Sequence, residues 1–302
     1  MPIRVTFIGA GAIGSAVAGL VQTSGATVEQ WDMDPSKVPN QKPLEKIVPH
    51  ADVLFLCVCS WQLRDAIATI HPMLSKKTVV VTLSKGIELG SKLTVDRLLA
   101  DALPKNQPFA LLSGPMLAAE LAAGLPSLAV VASAGRGAGR RVERLFQKSA
   151  LRTEWTRDVR GTALAGVLKN IYAVALGISD ALAMGDNARG RMVERAITEM
   201  ITVIKTLNPR GDAVAAALGP AGLGDLVATG TSPHSSNRRV GHELVAGKGM
   251  TKMSEGFISL PSLVALLGKK RAARFLLLQA VASVVIGKKD AKKTFRLLLT
   301  RE

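Results

Sequence analysis

The chain has 302 residues, 48% of them hydrophobic and 21% charged, a balance that excludes a disordered or fibrous polypeptide. A chain of this length buries most of its surface without disulfide or metal staples, and at roughly 150 residues per domain it makes two domains or one large one. Lysine and arginine outnumber aspartate and glutamate 39 to 23, a net charge of +16 that favours anionic partners such as a phosphorylated metabolite or a nucleotide; 4% aromatics and a single tyrosine argue against base stacking as its use.

Along the first half, short apolar runs alternate with amphipathic stretches. The runs Ile3–Ile8, Thr27–Trp31, Val53–Val58, Thr78–Leu83, Phe109–Leu112 and Leu128–Ala132 are predicted strands, each bounded by Gly, Pro, Asp or Ser. Their near-continuous apolar character suits parallel strands buried on both faces. Helical patterns lie between them, as in Trp61–Ile70 and Lys92–Leu103, so an N-terminal doubly wound α/β domain is expected. The β signal fades near residues 155–162, and long helical patterns follow. Domains of 1–158 and 159–302 are therefore expected, the second all helical.

The run from Arg4 to Leu20 resembles a signal peptide but lacks a cleavage pattern, and Phe275–Ile286 is too short to cross a bilayer. The only cysteines, Cys57 and Cys59, sit two apart in one apolar run and are expected to be buried, reduced thiols, which points to the cytoplasm. No metal is expected.

Gly9-Ala10-Gly11-Ala12-Ile13-Gly14 follows the first strand and opens a helix, the setting in which a G-x-G-x-x-G loop binds a dinucleotide. Gly9 allows the tight turn, Gly11 the approach of a pyrophosphate, and Gly14 close helix–strand packing. Asp32, eighteen residues beyond Gly14 at the end of the second strand, can accept hydrogen bonds from ribose hydroxyls and repels a 2′-phosphate. NAD is thus expected over NADP, with Lys37 able to offset part of the repulsion.

In the helical half, Ala165, Lys169, Ala173 and Gly177 recur at i, i+4 spacing and form a face of small residues around one lysine, opposite a stripe of Leu164, Leu168, Ile171, Ala175, Ile178 and Leu182. A flat ligand could lie against the small face, and partial burial would lower the lysine pKa toward neutrality. Gly222-Leu223-Gly224-Asp225 reads as a bend presenting a carboxylate. Ser235-Ser236-Asn237-Arg238-Arg239 reads as a cluster of donors suited to a phosphate or hydroxyl. Lys269-Lys270-Arg271, Lys288-Lys289 and Lys292-Lys293 form a basic C-terminal region that reads either as a solvated helical face or as an anion-attracting surface that raises local substrate concentration.

Together these motifs resemble the bacterial-type NAD(P)-dependent glycerol-3-phosphate dehydrogenase family over essentially the whole chain. The resemblance is carried by the Gly9–Gly14 loop, Leu83-Ser84-Lys85-Gly86-Ile87-Glu88, Leu112-Ser113-Gly114-Pro115 and Ala118-Ala119-Glu120. It continues through Gly166-Val167-Leu168-Lys169-Asn170-Ile171-Tyr172-Ala173, Gly177-Ile178-Ser179-Asp180, Met184-Gly185-Asp186-Asn187, Gly222–Leu226, Asn237-Arg238-Arg239 and Glu255-Gly256. It implies a Rossmann-type sheet followed by a helical domain of the 6-phosphogluconate-dehydrogenase-like kind. It also implies reversible reduction of dihydroxyacetone phosphate to sn-glycerol 3-phosphate, a phospholipid backbone precursor, in the cytoplasm.

By the same resemblance Lys169 is the proton donor and acceptor, with Lys85 and Asp225 beside it. Lys85, Gly114, Asn170, Asp225, Ser235, Asn237 and Arg238 meet substrate. Gly9, Gly11, Ala12, Ile13, Gly14, Asp32, Lys85, Ala118, Arg238 and Glu255 meet an NAD or NADP cofactor. The implied partner is a small phosphorylated substrate and a second copy of the chain, with neither specific nucleic acid nor membrane insertion. Two departures fall at substrate positions: Ser236 where the family has arginine, and Met116 where it has a small hydroxyl residue. Others are Cys59 for a proline, Met33 for a basic residue, a short segment between Asp34 and Ala51, and a missing proline–isoleucine pair near Phe275-Leu276. A dehydrogenase of another small carbonyl substrate is therefore an alternative. A nucleotide-sensing or nucleic-acid-binding regulator is a third reading, against which the intact set Lys85, Lys169 and Asp225 argues.

Overall fold

Strands form where β-branched and aromatic residues cluster between turn residues, and in the computed structural model, which describes residues 2–247, 251 and 253–300, seven of them join in one sheet. They are β1 (Arg4–Ile8), β2 (Thr27–Trp31), β3 (Val53–Leu56), β4 (Val79–Thr82), β5 (Phe109–Ser113), β6 (Ser127–Ala132) and β7 (Leu151–Thr156), in the order β2-β1-β3-β4-β5-β6-β7. All neighbours pair in parallel except β5 and β6. The helices between them are α1 (Ala12–Gln22), α2 (Leu44–Ile47), α3 (Leu63–Ile70), α4 (Val95–Ala102), α5 (Ala118–Ala122) and α6 (Arg136–Arg144).

Burial on both faces explains the unbroken apolar runs. On one face Val5, Phe7, Val53, Phe55 and Val81 pack against Val17 and Val21 of α1, Leu121 of α5 and Phe146. The alternate residues Leu54, Leu56 and Val80 point to the other face and are also fully buried. Phe7 and Phe55, register partners across β1 and β3, stack with centroids 4.5 Å apart, and Phe146 meets Phe55 edge-on at 6.4 Å.

Strand β7 was not expected. Its sequence Leu-Arg-Thr-Glu-Trp-Thr buries only Leu151 fully, because β7 ends the sheet and pairs with β6 alone. An edge strand need not be apolar, so it lacks the signal that marks the central strands. The third strand stops at Leu56, two residues short of the expected end, and Cys57 and Cys59 lie in the loop after it. Neither is in a disulfide; Cys57 is partly buried, whereas Cys59 is exposed, contrary to expectation. Desolvation raises the Cys57 pKa to about 12.

The helices of the C-terminal half are α7 (Val159–Ala181), α8 (Gly185–Leu207), α9 (Ala213–Leu218), α10 (Asp225–Thr231), α11 (Ser236–Ala246), α12 (Glu255–Leu267), α13 (Lys269–Ala272), α14 (Leu276–Val285) and α15 (Ala291–Thr300). The chain divides into two compact units, residues 1–84 with 95–162 and residues 85–94 with 163–302. Helix α7 is long and apolar enough to cross a membrane, but its apolar window is wholly buried in protein. Glu199 of α8 is buried as well. Its carboxylate accepts the Leu277 and Leu278 backbone N–H groups at 2.8 and 3.0 Å, where α14 starts, and the Tyr172 hydroxyl of α7 at 3.1 Å. One side chain thereby caps α14 and ties three helices together.

Candidate functional site

In the first unit, the loop after β1 has the shape that a dinucleotide requires. Gly9 has φ +99°, and a Cβ there would lie 2.7 Å from the Cys57 carbonyl oxygen; a Cβ at Gly14 would fall on the Gly9 carbonyl. Around Gly11 a Cβ would meet nothing within 4 Å, so this stretch of backbone is open to approach. Gly11 caps α1 without a side-chain hydrogen bond, which leaves backbone N–H groups at the positive end of the helix for an anion. Ala12 is exposed and Ile13 half-buried, both in the first turn of α1. The strand order reverses between β1 and β3, the place where open α/β sheets bind ligands.

Asp32 stands at the end of β2, nearly buried. Its Oδ2 accepts the Ala10 N–H at 2.7 Å, and its Oδ1 accepts the Asp34 N–H at 2.9 Å and the Lys37 ammonium at 3.1 Å. Burial works to raise the carboxyl pKa, but these donors outweigh it and hold the group below its usual range. The carboxylate is therefore ionised and joined directly to the glycine loop. Ala118 opens α5, which packs against α1. Gly114, at φ +146°, is required where β5 ends, since a Cβ would lie 2.6 Å from the Leu128 carbonyl oxygen. Met116 packs partly buried against the hydrophobic core.

The second unit gathers a polar cluster around Asp225. The glycines of Pro220–Gly224 permit a π-helical turn, tight enough that a Cβ on Gly222 would strike the Ala217 carbonyl, and this turn delivers Asp225 to the start of α10. Asp225 Oδ2 lies 2.6 Å from Lys85 Nζ, and Oδ1 lies 3.0 Å from Lys169 Nζ. Thr229, one turn along α10, donates to Asp225 Oδ1 at 2.9 Å and accepts from Lys169 Nζ at 2.9 Å. Burial acts to raise the Asp225 pKa, yet the two ammonium groups keep it below the usual carboxylate range. Lys169 is only 5% exposed; burial first, and then the Lys85 charge, bring it down to about 8 against the pull of Asp225 and Glu255. Such a group gains and loses a proton near neutrality.

A chain of amides holds this cluster in place. Asn170 donates to the Lys85 carbonyl at 2.9 Å, Asn237 donates to Asn170 at 2.8 Å, and the Gly256 N–H donates to Asn237 at 2.9 Å. Glu255 begins α12 beside Gly256. Thus Lys85, Lys169, Asn170, Asp225, Asn237 and Glu255 are neighbours, although sequence distance scatters them. Ser235 caps α11, its Oγ accepting the Arg238 N–H at 3.2 Å.

Arg238 goes elsewhere. Its guanidinium pairs with Asp180, which also receives His242 Nε2 at 2.9 Å and Arg189 at 3.2 Å. The small face of α7 differs from expectation too. Gly177 meets the Arg238 backbone of α11, and a Cβ on Gly241 would lie 2.5 Å from the Val174 carbonyl oxygen, so small residues here let two helices touch along their backbones. Ala165 and Ala173 are fully buried with the opposite stripe. Thr229 escaped the sequence reading; its only signal was its i+4 spacing from Asp225 on a helix.

Comparison with known proteins gives the family. Residues 34–138 match the family model described as NAD-dependent glycerol-3-phosphate dehydrogenase N-terminus, and residues 158–296 match the corresponding C-terminus model. The glycerol-3-phosphate dehydrogenase (NAD(P)+) of Nitratidesulfovibrio vulgaris strain DP4 is 32% identical, with 99% of each chain covered. A second such protein from Sphingopyxis alaskensis is 33% identical over 99% of this chain and 97% of that one. The crystal structure of glycerol-3-phosphate dehydrogenase from Coxiella burnetii superposes with a TM-score of 0.88 at 28% identity, covering 99% of both chains. With a Rossmann-like sheet followed by an all-helical half, and relatives similar from end to end, the chain belongs to the NAD(P)-dependent glycerol-3-phosphate dehydrogenase family.

Proposed function

We propose that the protein catalyses the reversible NAD(P)H-dependent reduction of dihydroxyacetone phosphate to sn-glycerol 3-phosphate, with Lys169 as the proton donor. The observation that carries this reading is the buried Lys169 ammonium, held by Asp225 and Thr229 and brought to a pKa of about 8. The cofactor, when bound, supplies or accepts the hydride. Lys169 gives its proton to the carbonyl oxygen as negative charge develops there, and Lys85 adds a second positive charge. Asp225 keeps both ammonium groups oriented. In the oxidative direction neutral Lys169 takes the hydroxyl proton back. Gly9, Gly11, Ala12, Ile13, Gly14 and Ala118 fit the dinucleotide, and the ionised Asp32 favours NAD over NADP. Two cysteines outside any disulfide fit a reducing, cytoplasmic setting.

A second reading, reduction of another small carbonyl compound, is favoured by one observation. Ser236 stands where the family has arginine, and of the two arginines beside it Arg238 pairs with Asp180 while Arg239 lies 3.8 Å from Glu243. The test follows nicotinamide absorbance with NADH or NADPH and dihydroxyacetone phosphate, with unphosphorylated dihydroxyacetone and several keto acids in parallel. Phosphate-dependent turnover that disappears in Lys169→Ala, while cofactor still binds, is the expected result. Near-normal kcat in that variant removes Lys169 from the mechanism. Turnover of an unphosphorylated carbonyl alone establishes the second reading.

A further inference from the structure

Helix α6 and the edge strand β7 line an open surface cavity of about 470 Å³ in the first unit, with four arginines and one acid, Glu143, in its wall. Arg136, Arg140 and Arg144 line it from α6, and Arg152 lines it from β7. The three helix positions are spaced at i, i+4 and i+8, which keeps them on one side of α6 at steps of about 6 Å. Arg136 is fixed by an ion pair with Glu143 and by stacking on Trp155, 4.8 Å from the ring centroid. Glu143, the only acid between residues 136 and 152, is thereby neutralised. Among the described residues Arg140, Arg144 and Arg152 have no acidic partner, and all three are exposed.

We propose that this cavity binds a small polyphosphorylated anion. Guanidinium groups grip phosphoryl oxygens in pairs, but each exposed contact contributes little, so a chain of phosphoryl groups that engages three arginines at once is the matching chemistry. A concave wall around a volume in the small-ligand range suits such a molecule better than a long polymer. The site is separate from the dinucleotide loop. Strand β7 is five positions from β1 in the sheet, roughly 24 Å at about 4.8 Å per strand.

The experiment is calorimetric titration of the full-length protein, saturated with NADH, with tripolyphosphate and with ATP at about 0.15 M salt. Wild-type protein should bind one tripolyphosphate per chain, and R140A/R144A/R152A should bind it at least tenfold more weakly with unchanged NADH affinity. The single reversal R152E tests the same wall without touching α6. K288A/K289A/K293A removes three charges from the C-terminal region and should bind as wild type does. Equal affinity for ATP identifies the phosphate chain as the recognised group, and tighter ATP binding adds the nucleoside. Absence of binding to wild-type protein overturns the proposal, as does an equal loss in both triple variants. So does arginine-dependent binding of a single-stranded oligonucleotide without binding of tripolyphosphate.

Discussion

Asp225 faces two ammonium groups with one carboxylate, and burial together with that imbalance sets the behaviour of Lys169 with pH. Each lysine has one carboxylate oxygen near it, while burial and the second ammonium both disfavour protonated Lys169. In the proposed role Lys169 gives its proton in reduction, so kcat/KM for that direction should be level below about pH 8 and fall above it; oxidation uses the neutral amine in that role and should rise through the same range. Initial rates in both directions across pH check this, and parallel profiles in the two directions would contradict it. In the first unit, Asp32 is committed to both the Ala10 N–H and Lys37. Asp32→Ala removes the carboxylate that would repel a 2′-phosphate and frees the Lys37 cation. The preference for NADH over NADPH should narrow about tenfold, the magnitude of one charge-assisted hydrogen bond, in a comparison of kcat/KM for the two cofactors. Lys85, Lys169 and Asp225 were picked out through the family resemblance of the motifs that carry them. The value of about 8 was not legible there, because it depends on burial and on a neighbour 84 positions away.

Elements differ in how openly their sequences state their role. Central strands β1, β3 and β4 are buried and apolar apart from Arg4, Thr6 and Thr82 because both faces are covered, whereas β7 carries Arg152 and Glu154 exposed on a sheet edge and reads as loop. Helix α7 has an amphipathic-looking pattern but is buried all round, since its small face is needed for the crossing with α11 at Gly177 and Gly241. Glu199 gives the same lesson from the polar side. In α8 it reads as one more helix-surface acid, yet three donors from two other helices converge on it, and burial raises its pKa despite them. Glu199→Ala strands two backbone N–H groups and a tyrosine hydroxyl, a loss of about 3 kcal/mol or more. Urea unfolding should show a lower midpoint with an unchanged m-value. A change under 1 kcal/mol, of the order of a surface substitution, would mean that water takes over the donors.

At the scale of the molecule, charge and chain path matter most. The net charge of +16 attracts phosphate esters and dinucleotides before contact, an effect that salt screens within about 10 Å at 0.1 M. Raising salt from about 0.02 to about 0.2 M should lower kcat/KM for dihydroxyacetone phosphate several-fold and leave kcat nearly unchanged. A proportional loss in kcat would instead place the effect on the reacting groups. Residues 85–94 leave the first unit, between β4 and α4, and count with the second. The Ile87 N–H donates to Ser259 Oγ at 3.0 Å, and Asn170 holds the Lys85 carbonyl, so this short excursion is what brings Lys85 to Asp225.

Composition, periodicity and glycine spacing determined the alternation of strands and helices and marked the glycine loop, because each depends on residues within a few positions of one another. The two lysines were assigned to the site only by the family resemblance of the motifs around them. Tertiary structure decided the rest. It set which arginine pairs with Asp180, that Thr229 joins Lys169, that β6 runs against β5, and that four arginines line one cavity. Those outcomes depend on contacts between distant segments, and in a close-packed interior such contacts are fixed by the shape of the whole chain and not by any local stretch of it.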